Sequence, residues 1–207
     1  MEVCKLPKIF LLDRNQGVTD CWKKCFKDEA HVCIVCDDFE SFIERLNENV
    51  AIVSPANGYG LMDGGYDAAI IGHYGYKLQK RVQEIIVEDF IGEQPVASGL
   101  VVDIDKEKNV KLFHIPTMKL PEPILDIRVI YHCMRVALIM ALKDETIESI
   151  VIPAFGALTG DVPASIVAKQ MYAAYLQIKS QLENPHMETW TSAVRLQMEI
   201  LHKIENI

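Results

Sequence analysis

No stretch of the 207-residue sequence holds the roughly 20 consecutive apolar residues that a membrane-crossing helix requires. The opening segment, MEVCKLPKIFLLDRNQ, reaches Asp13 and Arg14 before a signal-peptide core develops, so a cytoplasmic protein is expected. Basic charge is in short supply: 21 Lys and Arg face 29 Asp and Glu, a net charge of -8. Such a chain repels phosphate backbones on average, and KLQKR at 77–81 is too short to reverse that, so general nucleic-acid binding is not expected. Neither the GxGxxG dinucleotide fingerprint nor a GxxxxGKS or GxxxxGKT phosphate loop occurs, so any nucleotide must be held in another way. Repeats and low-complexity segments are missing too.

Metal-binding spacing is also incomplete. Cys33 and Cys36 have CxxC spacing, but they lie in the β-branched run HVCIVC. Residues three apart on a strand point to opposite faces and cannot share one tetrahedral ion. Cys21 and Cys25 stand one helical turn apart with His31 following, yet no second CxxC or HxxxH completes a set. The six cysteines (4, 21, 25, 33, 36 and 133) are therefore expected as free thiols, with neither a metal nor a cofactor.

What is present is the balance of a globular protein, half hydrophobic and a quarter charged, long enough for one substantial core. KIFLLD (8–13) reads as a strand, followed by a helix capped by Thr19 or Asp20 and running to about Asp28. HVCIVC is a second strand, after which Asp37 or Asp38 opens a helix carrying Phe39, Phe42, Ile43 and Leu46. VAIVSPA (50–56) is a third. Beyond a glycine-rich stretch, Leu78, Val82, Ile85, Ile86 and Phe90 recur at helical spacing in one long helical region.

VASGLVVDI and VKLFHIPT, joined by a charged turn at 105–109, form a hairpin. ILDIRVIYHCMRVALIMAL is a buried helix, SIVIPAF (149–155) the last strand, and a helix starting near Asp161 and Pro163 stops at Asn184-Pro185. A final helix, 189–204, places Trp190, Val194, Met198 and Leu201 on one face, to close the core or to form a dimer seam. Alternating strand and helix predict a three-layer α/β/α fold with a mixed, mostly parallel central sheet. The expected organisation is one domain over 1–183 and a helical extension over 184–207, packed on the domain or at an oligomer interface.

Ligands of open α/β sheets bind beyond the carboxyl ends of the strands, where this chain carries CDDF, SPANGYGLMDGGYD and PAFGALTGDVP. Gly64-Gly65 stands just before a helix whose first polar residue is Asp67. Gly156, Thr159 and Gly160 lead into the helix behind Asp161. Bare backbone N–H groups at a helix start attract anions, and two such loops side by side suit a diphosphate. Taken singly, each loop reads first as a tight strand-to-helix turn in which glycine permits positive φ and aspartate caps the helix.

The run Asn57, six residues, Gly64-Gly65-Tyr66-Asp67 resembles the first ligand loop of macrodomains, and PAFGALTGDVP resembles their second, phosphate-gripping loop. In order, LLDR, CDDF, SPANGYGLMDGG, LQKRVQ, IPTM, PAFGALTGDVP and AKQMYAAY are similar to segments of stand-alone bacterial and phage-type macrodomains, over about residues 8–175. The resemblance implies binding of ADP-ribose or a related NAD-derived nucleotide. It implies Asp38 as acceptor for the adenine amine, with Phe39 beside it. Asn57 would hold the distal ribose, Gly64, Gly65, Gly156 and Gly160 would approach the diphosphate, and Thr159 would add a hydroxyl.

Asp67 matches the acid that helps position or activate water in hydrolytic members, so Asn57 and Asp67 are the candidate catalytic pair. Each has a plainer role: Asp38 a helix cap, Phe39 core, Asn57 an Asn-Gly turn, Asp67 dipole compensation. Leu158 and Asp161 stand where related loops often have glycine, and Tyr66 where the family has an aliphatic residue. Asp161 would repel a diphosphate if it faced the pocket. His73 is read as a helix-surface or packed histidine and His114 as hydrogen-bonded within the sheet region. The implied functions are hydrolysis of ADP-ribosyl linkages or derivatives, non-catalytic binding of ADP-ribose or ADP-ribosylated macromolecules, or a scaffold role for a degenerate macrodomain.

Overall fold

A computed structural model describes residues 6–183 and 190–205. The strands are β1 (Lys8–Asp13), β2 (Val32–Cys36), β3 (Val50–Ser54), β4 (Leu100–Asp105), β5 (Val110–His114) and β6 (Ser149–Ile152). They form one sheet in the order β2-β1-β6-β3-β5-β4. The first five in that order run parallel, and β4 closes the edge as the antiparallel arm of a hairpin with β5. The helices are α1 (Gln16–Cys25), α2 (Phe39–Arg45), α3 (Gly65–Tyr74), α4 (Lys77–Phe90), α5 (Arg128–Lys143), α6 (Ala164–Glu183) and α7 (Trp190–Glu205).

Strand alternation divides the core in two. Ile9 and Leu11 of β1 face a cluster shared with Trp22 of α1, Met134 of α5 and Met171 of α6. Phe10 and Leu12 face the opposite cluster, with Phe42 of α2, Ile70 of α3 and Val82 of α4. The result is a three-layer α/β/α fold, as the alternating pattern predicts. Each fully buried aliphatic side chain contributes roughly 1.5–3 kcal/mol of transfer free energy to these layers.

Several boundaries differ from the sequence reading. α1 is capped by Asn15, whose Oδ1 accepts from Gly17 N at 2.8 Å, so Thr19 lies inside the helix and is buried. Asp20 sits on its exposed face, accepting from Gln16 and Lys23. The single helical region after the glycine-rich stretch is two helices, parted at Gly75. α5 begins at Arg128, because Ile124 is used elsewhere: its N–H donates to the Gly160 carbonyl at 2.8 Å. The expected stop at Asn184-Pro185 lies outside the described residues.

The last helix buries a different face from the expected one, of which the Trp190 side chain lies outside the described residues. Ile200 and Ile204 enter the core and Leu196 packs against it, whereas Val194, Met198 and Leu201 are exposed. Lys203 adds its ammonium 5.6 Å from the centre of the Tyr172 ring. The i, i+4, i+8 spacing of Leu196, Ile200 and Ile204 is itself a good helical stripe.

One buried polar group ties α1's exit to α6. Glu29, in the α1–β2 connection, accepts from Tyr175 Oη at 2.9 Å, Tyr172 Oη at 3.3 Å and Lys179 Nζ at 2.7 Å. Removing the carboxylate strands two buried hydroxyls and a partly covered ammonium. Glu29→Ala is expected to lower unfolding stability by about 2–4 kcal/mol in urea denaturation; a loss under about 0.5 kcal/mol would show that the group is not structural.

Candidate functional site

Five parallel strands place all five carboxyl ends on one edge, and the loops leaving them surround a cavity of about 480 Å³. Asp13–Asn15 follow β1, Asp37–Phe39 follow β2, the 55–67 loop follows β3, Thr117 and Met118 follow β5, and the 153–160 loop follows β6. The chain passes from β1 outward to β2 and then back across to β3, so the cavity stands where the strand order reverses, the usual ligand position in such sheets. Its volume is that of a small-molecule site.

The β3 loop is held from behind. Gly58 N donates to the carbonyls of Met118 and Lys119, and Gly58 O accepts from Gln94 N at 2.8 Å. Asn57 is the organiser: its Oδ1 accepts from Tyr59 N at 3.1 Å and Leu61 N at 3.3 Å, while Nδ2 donates to Leu61 O at 2.7 Å. The buried amide thus spends three hydrogen bonds on its own loop and keeps one Nδ2 hydrogen.

The loop ends at Gly64, which caps α3 with no side-chain hydrogen bond. A Cβ built there meets nothing within 4 Å. Glycine at 64 is therefore required neither by its φ of -133° nor by internal packing; it leaves the backbone uncovered toward the cleft. The first-turn N–H groups of a helix without a cap are open donors.

The β6 loop has tighter constraints. A Cβ at Gly160 would approach Gly156 O and Ile124 Cδ1 to 2.7 Å each. Ile124 therefore packs directly beneath this loop. Asp161 adopts φ +52°, the left-handed region that glycine favours and aspartate tolerates. It is exposed and is not part of the cavity lining, so its charge does not face the cleft. Leu158 does line it, 69% exposed, with a methyl 3.1 Å from where a Gly65 Cβ would lie.

At the β2 end, Asp38 caps α2, its Oδ1 accepting from Ser41 N at 2.9 Å, which together with Arg45 nearby holds its carboxyl below the usual range. Phe39 is core: its ring meets Tyr66 edge to face at 5.3 Å. The Tyr66 hydroxyl is buried with no hydrogen-bond partner among the described residues. Burial, with Asp67 and Asp13 nearby, drives its ionisation well above the ordinary tyrosine range.

Carboxylates outnumber cations in the lining: Asp13, Asp37, Asp38, Asp63 and Asp67 against Arg14. Part of that charge is offset. Asp37 pairs with Arg45, burial raises Asp13, and burial pushes Asp67 up to about 7 despite the Ser54 hydroxyl donating to its Oδ1 at 2.7 Å.

Every candidate site residue (Asp38, Phe39, Asn57, Gly64, Gly65, Tyr66, Asp67, Gly156, Thr159 and Gly160) borders this one cavity. His73 does not; its ring packs at 4.6 Å from that of Tyr74. His114 is buried in the sheet, Nδ1 2.7 Å from Gln94 Oε1, and burial lowers it to about 3. Asp13, Arg14, Asn15, Thr117 and Met118 also line the cavity; four of them lie in the LLDR and IPTM segments, to which the sequence reading assigned no role. Extending the strand-end rule to β1 and β5 finds all five.

Comparison with known proteins gives the same picture. The family model described as "Macro domain" matches residues 53–171. An uncharacterized protein of Aquifex aeolicus is 31% identical over 120 residues, 58% of this chain and 68% of that protein. The Oceanobacillus iheyensis macrodomain solved with ADP superposes with a TM-score of 0.56 at 23% identity, covering 80% of this chain and 89% of that one; a variant of it is solved with ADPR. The macrodomain of Mycobacterium tuberculosis DarG gives 0.54 at 20% identity over 65% and 85%.

Asp67 yields a pH prediction. Between about pH 4 and 7 the unfolded carboxyl loses its proton while the folded one keeps it, so stability falls as pH rises and the full cost is present above 7. An amide carries no such cost. Asp67→Asn is expected to be stabilised relative to wild type by up to about 4 kcal/mol at pH 8 and by far less at pH 4, in thermal or urea denaturation; equal effects at both pH values would contradict a raised Asp67.

Proposed function

Because the chain belongs to the Macro domain family, we propose that its cleft binds ADP-ribose or a closely related NAD-derived nucleotide, free or attached to a macromolecule. The observation that carries this reading is Gly64: an uncapped helix start whose missing side chain leaves open space directly over backbone donors. The Oceanobacillus macrodomain solved with ADP and, as a variant, with ADPR supports the choice of ligand.

In this arrangement the diphosphate lies between Gly64-Gly65 and the loop of Gly156, Thr159 and Gly160. Asp38 accepts from the adenine amine through Oδ2, its other oxygen serving the helix cap. Phe39 and Tyr66 form the packed aromatic wall beneath. Asn57 shapes the ribose end chiefly by holding its loop, with one Nδ2 hydrogen left for a hydroxyl. Leu158, exposed beside Gly65, covers the diphosphate from solvent once the ligand is in place.

A second reading, hydrolysis of an ADP-ribosyl linkage or derivative, is favoured by Asp67 alone. A cleft carboxyl pushed to about 7 has the affinity for a proton that a general base needs at neutral pH. Asn57 then acts by positioning. The reducing cytoplasm suits the free Cys21, Cys25, Cys33, Cys36 and Cys133.

Two measurements test these readings. Calorimetric titration of ADP-ribose is expected to give micromolar or tighter binding to wild type and at least about 100-fold weaker binding to Gly64→Glu, which adds bulk and negative charge without an internal clash. No binding to wild type would overturn the ligand and leave the scaffold role. Turnover of an ADP-ribosylated substrate is expected to rise as pH passes through about 7 and to vanish in Asp67→Asn; turnover that survives the substitution removes Asp67 from the chemistry.

A further inference from the structure

Beside the cleft, and outside its lining, lies a group of donors that the nucleotide reading does not use. Glu40 and Glu44 stand one turn apart on α2, and His73 reaches them from α3. One ligand atom from each can be chosen so that all three lie within 4.8 Å of one another. Two carboxylates at this separation repel unless something positive joins them. Among the described residues neither forms an ion pair, and Arg45, the adjacent cation, is engaged with Asp37. The imidazole is also placed: its ring meets Phe39 edge-on at 6.2 Å and Tyr74 at 4.6 Å.

We propose that Glu40, Glu44 and His73 form a binding site for a divalent transition-metal ion. Two carboxylate oxygens and one imidazole nitrogen are a mixed hard and borderline set, suited to Zn²⁺, Mn²⁺ or Co²⁺ and, because of the imidazole, less to Ca²⁺ or Mg²⁺. Bonds of about 2.0–2.2 Å bring donor atoms to about 3–4 Å from one another, which rotation of the two exposed glutamate side chains supplies. Three protein ligands leave a further coordination position for water or for an oxygen of a bound molecule.

The ion would link α2 to α3. Those helices begin at Asp38 and Gly64, which both border the cleft, and Phe39 touches both the cavity and the His73 ring. The site therefore acts as a clasp beside the ligand cavity. It does not depend on the identity of the ligand.

Co²⁺ titration of chelator-treated protein tests the site, read by calorimetry and visible absorption. One ion per chain is expected, with d–d bands of oxygen and nitrogen ligation and no thiolate charge-transfer band. Binding should weaken at least about tenfold in Glu44→Gln and in His73→Gln, with circular dichroism unchanged. Glu44 is exposed, so its variant keeps the test valid if the packed His73 does not tolerate replacement. No binding, a thiolate band, or affinity unchanged in Glu44→Gln would overturn the proposal.

Discussion

Strands that run the same way must end on the same edge, and the function proposed for this chain depends on that constraint. β2, β1, β6, β3 and β5 deliver five loops to one side of the sheet. Segments far apart in sequence, such as Asp13, Asp38, Asn57 and Thr159, thereby border one cavity. The helices that follow also start there, so the donor ends of α2 and α3 come with the fold. What remains for the local sequence is to decide whether those ends are covered. At Gly64 they are left bare, and at Asp38 a carboxylate caps them.

An acidic protein with an acidic cavity is an unexpected host for a diphosphate, and the electrostatics show how the conflict is reduced. Asp67 is buried and pushed to about 7, Asp13 is raised, and Asp37 is paired with Arg45. Asp161, the charge that the sequence places nearest the proposed phosphates, is turned out of the cavity lining. Anion attraction then falls to Arg14 and to backbone dipoles, the latter carrying no net charge. The cost sits in Asp67, a buried acid that works against stability above neutral pH.

The layers and the main loops were legible because they are encoded locally. Strand alternation in KIFLLD assigns Ile9 and Leu11 to one face and Phe10 and Leu12 to the other. The spacing from Asn57 to Gly64-Gly65 marks the first loop within a dozen residues. Long-range uses of a residue were not legible. Ile124 looks like the start of a helix, yet it is the floor under Gly156 and Gly160. Asn57 reads as a ribose holder or an Asn-Gly turn, yet three hydrogen bonds to its own loop leave it a single Nδ2 hydrogen. Val194, Met198 and Leu201 suggest one stripe of α7 while Leu196, Ile200 and Ile204 form the packed one, because burial is set by which face meets α6.

The proposed function stands on a nucleotide diphosphate held by backbone N–H groups, uncovered at Gly64 and faced by the packed β6 loop. Amide proton–nitrogen correlation spectra of the labelled protein, recorded during ADP-ribose titration, test it most directly. The account predicts the largest shifts at the amides of Gly64, Gly65, Gly156 and Thr159, with little change in α7. Saturable binding whose shifts fall elsewhere, leaving those four amides unmoved, would contradict it.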